Sequence, residues 1–226
     1  MIIELENISR TYFNESAIGR DVLKEVSLSI KKGEAISIVG PSGSGKSTLL
    51  NIIGTLDHAS SGVFKFDGNE IKNYSENQLA EIRNQKIGFI FQSHHLLPQL
   101  NVLENVLLPT IPIKDKSQKK LATLRAMDLL KYVGLDDKIH QLPGQLSGGE
   151  AQRTAVVRAL INEPELILAD EPTGSLDSVS ADLIGDLLSN INTEKNIALI
   201  LVTHSAKLAN HIGNIYNITD GKLLKA

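Results

Sequence analysis

The sequence predicts an α/β fold, a sheet containing parallel strands with helices packed on its faces, and two observations carry that prediction. Past residue 150 the pattern alternates, with helix over 151–161, strand over 166–169, helix around 183–191 and strand over 197–202. Strands separated by helices pair in parallel and bury both faces of the sheet. Earlier in the chain, Gly40-Pro41-Ser42-Gly43-Ser44-Gly45-Lys46-Ser47 lies directly between an apolar strand over 35–39 and a helical run over 46–53. That order of strand, glycine loop and helix belongs to the same architecture.

Residues 26–30, Val-Ser-Leu-Ser-Ile, alternate apolar and polar as a half-buried strand does. Gly54 stops the helix over 46–53. Residues 63–66 read as a strand that enters a tight turn at Asp67-Gly68. Ser75-x-x-Gln78 is a capping box for a helix reaching about Lys86, and 87–91 returns to strand. From 93 to about 134 the character changes to helices broken by prolines. Asn101 caps a segment closed by Pro109, and Ser117 opens a long helix that Gly134 ends. On the last long helix, Leu183, Ile184, Leu187, Leu188 and Ile191 are expected to share one buried face.

The 226 residues carry 23 Lys and Arg against 26 Asp and Glu, a formal charge of −3. No sequence-wide charge therefore points to nucleic acid or an anionic surface as partner. Cysteine is absent, which excludes disulfides and thiolate chemistry. The longest aliphatic run, 197–202, falls far short of the ~20 residues that span a bilayer. The N-terminus, Met1-Ile2-Ile3-Glu4-Leu5, has no basic stretch ahead of an apolar one, so a signal peptide is not expected.

Three motifs carry chemistry. A polyphosphate needs backbone N–H groups close around it, and glycines permit that approach. The run Gly40, Pro41, Ser42, Gly43, Ser44, Gly45, Lys46, Ser47 with Thr48 supplies them, with Lys46 aimed at the β- and γ-phosphates and Ser47 at Mg²⁺. Second, an apolar strand over 166–169 delivers Asp170 and Glu171 at its C-terminal end, where ligands bind in open α/β sheets. Asp170 is placed to hold the Mg²⁺ shell, and Glu171 to polarise a water for attack on the γ-phosphorus. Third, Ser147-Gly148-Gly149-Glu150 is a capping box whose glycines open a second helix N-terminus toward an anion.

Leu146-Ser147-Gly148-Gly149-Glu150 resembles the signature of the ATP-binding cassette (ABC) ATPases, and the resemblance runs over essentially the whole chain. It implies a single ABC domain over 1–226: a nucleotide-binding core with an N-terminal antiparallel β subdomain in 1–92 and 143–226, and a helical subdomain inserted at 93–142. It implies that Tyr12 stacks on adenine and that Gln92 touches Mg²⁺ and senses a membrane partner. His204 would contact the γ-phosphate, and Ser175, Leu176 and Asp177 would form the D-loop along a second subunit. It also implies a homodimer in which Ser147, Gly148, Gly149 and Glu150 act on the partner's ATP.

Within the family, His94-His95-Leu96-Leu97-Pro98 after Gln92, with Gly54-Thr55-Leu56-Asp57, resembles the lipoprotein-releasing and MacB-like group. Ala151 departs from the long polar residue common in the wider family, and Ser175 from the Asn usual in the lipoprotein-releasing group. The likeness implies two membrane subunits of MacB, LolC or LolE type docking near Gln92–Pro98. The paired histidines and Leu97 would line the receiving groove. No nucleic-acid partner is expected, and the location would be peripheral, on the cytoplasmic face of the bacterial inner membrane. The open alternative is a soluble ABC ATPase tied to no transporter, serving iron–sulfur assembly or an FtsE-like regulatory role.

Overall fold

Ten strands and seven helices are laid out along residues 1–13 and 19–226, the part of the chain that the computed structural model describes. In chain order they are β1 (Ile3–Phe13), β2 (Gly19–Ile30), β3 (Ala35–Val39), α1 (Lys46–Ile53), β4 (Ser61–Phe66), β5 (Asn69–Glu70), α2 (Glu76–Gln85) and β6 (Ile87–Ile90). Then follow α3 (Val102–Leu107), α4 (Lys116–Tyr132), α5 (Gly148–Leu160), β7 (Leu166–Asp170), α6 (Ser178–Lys195), β8 (Ala198–Val202), α7 (Ala206–Ile212), β9 (Asn214–Thr219) and β10 (Lys222–Lys225).

Two sheets form. The first is antiparallel, in the order β2-β1-β4-β5, and the second is mixed, in the order β10-β9-β3-β8-β7-β6. In the second, β9, β3, β8, β7 and β6 run parallel and only the β9–β10 hairpin is antiparallel. Period-two alternation in the parallel strands divides the core. Leu166, Leu168, Ile200 and Val202 face a cluster with α1 and the antiparallel sheet, while Ile167, Ala169, Leu199 and Leu201 face one with α5 and α6. Both faces are therefore covered, as parallel sheets require. Among the described residues no helix is long and apolar enough to cross a membrane.

Local chemistry accounts for most helix starts. Ser75 with Gln78, Asn101 with Glu104 and Ser147 with Glu150 each form reciprocal capping boxes. The opening of α4 differs from expectation: Asp115 accepts from the Gln118 N–H, and Ser117 instead donates its hydroxyl to Asp115. A carboxylate is the stronger acceptor at a helix N-terminus, so the cap lies two residues earlier. On α6, Ile184, Leu188 and Ile191 are buried but Leu183 is 52% exposed, so the apolar stripe is narrower than the sequence suggests.

Candidate nucleotide site

The phosphate loop leaves β3 at Val39 and re-enters regular structure at Lys46. Gly40 is required by close approach, because a Cβ there would lie 2.2 Å from the carbonyl oxygen of Ile218 on β9. Gly45 caps α1 at φ +107°, a conformation that side chains other than glycine's rarely adopt. Lys46, 6% exposed, donates from Nζ to the carbonyls of Gly40 and Pro41 at 2.9 Å each, closing the loop over its own ammonium. Ser44 is buried beside it with an Oγ that has no partner in the chain. Ser47 and Thr48 follow at the N-terminal end of α1. A recess of about 320 Å³ flanks the loop between Pro41–Ser44 and Arg20, Lys24 and Asp220.

Register places the other candidates on the same rim. Ile38 pairs with Val202 and Asp170 with the same Val202, while Ile90 pairs with Ala169. The residues just past those positions are the phosphate loop, His204, Glu171 and Gln92, so four adjacent parallel strands deliver them at one edge. Glu171 leaves strand geometry at φ +47°, its N–H donating to the carbonyl of Val202 at 2.9 Å. Simple strand alternation therefore applies to Asp170 but not to Glu171, which a left-handed turn re-aims. Its Oε2 accepts from the His204 backbone N–H at 3.1 Å. Its Oε1 lies 3.4 Å from His204 Nε2, too poorly aligned for a hydrogen bond, and is buried without a partner.

Gln92 is exposed just past β6, and its carbonyl accepts from the Ser175 hydroxyl at 3.4 Å. Gly174 lies against it, since a Cβ there would meet Gln92 Nε2 at 2.9 Å. Asp177 caps α6, accepting from the N–H groups of Val179 and Ser180 at 3.0 Å. The Ser180 hydroxyl, first among its partners, holds the Asp177 carboxyl below the usual range. Leu176 is half-buried against the α5 and α6 cluster. The signature opening rests on this segment: a Cβ on Gly148 would sit 3.3 Å from Leu176, and one on Gly149 would sit 2.9 Å from Ser180 Oγ. Ser147 and Gly148 are exposed, and no signature residue lines the recess beside this chain's own phosphate loop. Glu150 accepts from the Ser147 N–H at 2.7 Å, and that bond holds its carboxyl below the usual range. Tyr12 lies near the end of β1, 40% exposed, with its hydroxyl donating to Asp57.

A second concavity, a groove of about 500 Å³, lies between α2, β6 and α5 and is lined by Ala80, Phe89, Phe91, His95, Leu108 and Ala159 among others. The His95 ring packs 4.9 Å from the Phe91 ring. His94 and Leu97 do not line it. His94 accepts from the Leu96 N–H through Nδ1, and Leu97 is 39% exposed outside the groove. Both histidines take positive φ, +39° and +49°, and their carbonyls accept from Arg158 at 2.6 and 2.7 Å.

A glycine loop closing on a lysine, a carboxylate-bearing strand end and a doubly glycined helix opening, all brought to the C-terminal edge of a parallel sheet, define an ATP-binding cassette. The ABC transporter family profile matches residues 23–174, and the chain belongs to that family of ATP-hydrolysing transporter subunits. It is 44% identical over 223 residues to the lipoprotein-releasing system ATP-binding protein LolD of Francisella tularensis, covering 99% of this chain and 96% of that one. It is 46% identical to the macrolide export ATP-binding/permease protein MacB of Mannheimia succiniciproducens, covering 99% of this chain but 34% of that longer one. Among solved structures, the dimeric bacterial ABC transporter cassette MJ0796 superposes with a TM-score of 0.87 at 41% identity, over 99% of this chain and 98% of that one. The same cassette bound to ADP and phosphate after hydrolysis superposes with a TM-score of 0.85 at 38% identity, over 99% and 98%.

Proposed function

We propose that this chain is the ATPase of a lipoprotein-releasing or MacB-like export complex, working as a homodimer beneath two membrane subunits at the cytoplasmic face of the inner membrane. In this reading 93–142 is the helical subdomain and the remainder the nucleotide-binding core. The observation that carries it is the rim itself: the phosphate loop, His204, Glu171 and Gln92 end four neighbouring parallel strands, so one polyphosphate meets all of them.

In the mechanism, backbone N–H groups of residues 42–48 surround the phosphates and Lys46 exchanges its two carbonyl acceptors for phosphate oxygens. Ser47, Asp170 and Gln92 offer a hydroxyl, a carboxylate and an amide oxygen. These are the hard donors that Mg²⁺ accepts alongside substrate phosphates, and when bound it neutralises charge on the transferred phosphoryl group. Glu171 Oε1, buried and free of any protein partner, accepts from the attacking water and takes its proton as the new bond to the γ-phosphorus forms. The bond to the β–γ bridging oxygen breaks and ADP leaves. His204, tethered to Glu171 through its N–H, is positioned toward the γ-phosphate. Tyr12 receives the adenine. The Ser147–Glu150 opening, exposed at Ser147 and Gly148, and the 175–177 segment cover the γ-phosphate of the second copy, which shields the reaction from bulk water.

The test is Glu171→Gln, which keeps the shape and the His204 contact but removes the base. ATP binding persists and turnover falls by at least ~10²-fold. The same variant with ATP forms a dimer that light scattering detects. Near-normal turnover would remove Glu171 from the chemistry.

A further inference from the structure

Tyr12 sits in a three-residue arrangement that the phosphate chemistry does not use. Its hydroxyl donates to Asp57 Oδ2 at 2.6 Å, while Arg10 donates to Asp57 Oδ1 at 2.7 Å. The same guanidinium lies over the Tyr12 ring, 4.5 Å from its centroid. The His58 N–H also donates to Oδ1, at 2.7 Å. Burial pushes the Asp57 carboxyl up, but the Tyr12 hydroxyl, the His58 N–H and Arg10 together outweigh it and hold it below the usual carboxylate range. Both oxygens of an ionised carboxylate are thus committed, one of them to a tyrosine 45 residues away.

We propose that Asp57 and Arg10 are positioning residues that fix the Tyr12 ring as a one-sided platform for the nucleotide base. This rests on the reading that Tyr12 receives adenine. A tyrosine at a strand end can swing about χ1 and χ2, and stacking on a mobile ring costs rotamer entropy on every binding event. Anchoring the hydroxyl removes that freedom before ATP arrives. Arg10 covers one face by a cation–π contact, so a base stacks on the face left open in a ring that remains 40% exposed. Tyr12 pairs across the strands with Arg20, and Arg20 lines the recess beside Pro41–Ser44, which places the platform next to the phosphate loop.

Asp57 also has a second attachment. It lies four residues past the end of α1, and its N–H donates to the Asn51 carbonyl in the last turn of that helix at 3.2 Å. The N-terminus of α1 is the phosphate loop. Base platform and phosphate cradle are therefore linked through α1, the cradle at its N-terminal end and the anchor of the platform just past its C-terminal end.

The experiment compares Tyr12→Ala, Tyr12→Phe, Asp57→Asn and the double variant Tyr12→Phe/Asp57→Asn. Each is measured for KM and kcat with ATP and for inhibition by inorganic tripolyphosphate, which has phosphates and no base. Removing the anchoring hydrogen bond in Tyr12→Phe, or its charge in Asp57→Asn, raises KM for ATP about 3- to 10-fold. The double variant is no worse than the weaker single, because both act on the same bond. Tripolyphosphate inhibition stays at the wild-type level in all four. If Tyr12→Ala leaves KM unchanged, Tyr12 does not receive the base and the underlying reading fails. If Tyr12→Ala raises KM while Tyr12→Phe and Asp57→Asn do not, the ring stacks but needs no anchor, and the positioning role is overturned. Loss of tripolyphosphate affinity in Tyr12→Phe and Asp57→Asn would also overturn it, since Asp57 would then act on the phosphate loop.

Discussion

Lys46 is the side chain whose surroundings make the clearest energetic demand. A nearly buried ammonium held by two neutral carbonyls is only partly compensated for its lost hydration. Phosphate oxygens carry full charge, and hydrogen bonds between charged groups are about twice as strong as neutral ones. Lys46→Ala should therefore weaken ATP binding about 10- to 100-fold, in contrast to Glu171→Gln, which spares binding. Calorimetric titration separates the two variants, and unchanged affinity in Lys46→Ala would place the phosphates elsewhere. At this scale the sequence was a good guide wherever the chemistry is local. The phosphate loop, the acidic pair and the Ser147 opening are contiguous, and each spacing carries its own reason. The bond from Tyr12 to Asp57 spans 45 residues and leaves no periodic trace. The different surroundings of His94 and His95, of which only His95 lines the groove, go with two positive φ angles that no pattern announces.

Elements were legible to the extent that their periods stayed intact. The strand over 26–30 alternates cleanly, but β1 does not: its buried residues run Ile3, Leu5, Ile8, with the phase slipping at Asn7, which has φ +52°. A register shift between Leu5 and Ile8 marks a bulge there, and one inserted residue erases a period of two. Earlier in β2, Leu23 and Val26 straddle Glu25 at φ +50° for the same reason. Seven-residue α7 is too short to show a helical period. Ends of elements are also tied by charge. Glu165, just before β7, accepts from Lys32 before β3 at 2.8 Å and from Lys86 before β6. The Lys32 and Lys86 hydrogen bonds outweigh burial and hold its carboxyl below the ordinary 4.5. A depressed carboxyl stabilises the fold fully above that ordinary value, and the contribution is lost as pH falls through the lower folded value. With the carboxylate side chain a quarter exposed, Glu165→Gln should cost about 1 kcal/mol or less at pH 7, roughly 2–4 °C in Tm. Thermal melts should show the gap closing as the pH falls below 4.5 and through the lower folded value. A gap that persists in acid would mean that the loss is packing rather than charge.

Over the whole molecule, α5 is the element that reaches every working surface. It begins at the exposed signature, and Gln152 Nε2 donates to the Phe91 carbonyl at 3.1 Å, next to Gln92. Its Arg158 grips the carbonyls of His94 and His95, and Ala159 forms part of the groove. The groove exists because this packing is tight: a Cβ on Gly88 would fall 2.5 Å from the Ala159 carbonyl, so β6 and α5 meet backbone to backbone beneath it. A membrane subunit seated there would press on Phe91 and His95, and through α5 on the signature proposed to face the second copy's nucleotide. Arg83 and Arg158 already line the groove, so a further cation would repel a segment that accommodates them, and a long side chain would fill the space. Ala80 is exposed on α2 at the groove, where arginine is a comparable helix former. Ala80→Arg should therefore abolish co-fractionation with a co-expressed MacB-like membrane subunit and leave ATP affinity as it was. Leu97→Arg, outside the groove, should co-fractionate like the wild type. The opposite pattern would move the docking surface to the loop after Gln92, and failure of the wild-type chain to co-fractionate with any such subunit would favour an ATPase that works without a membrane partner.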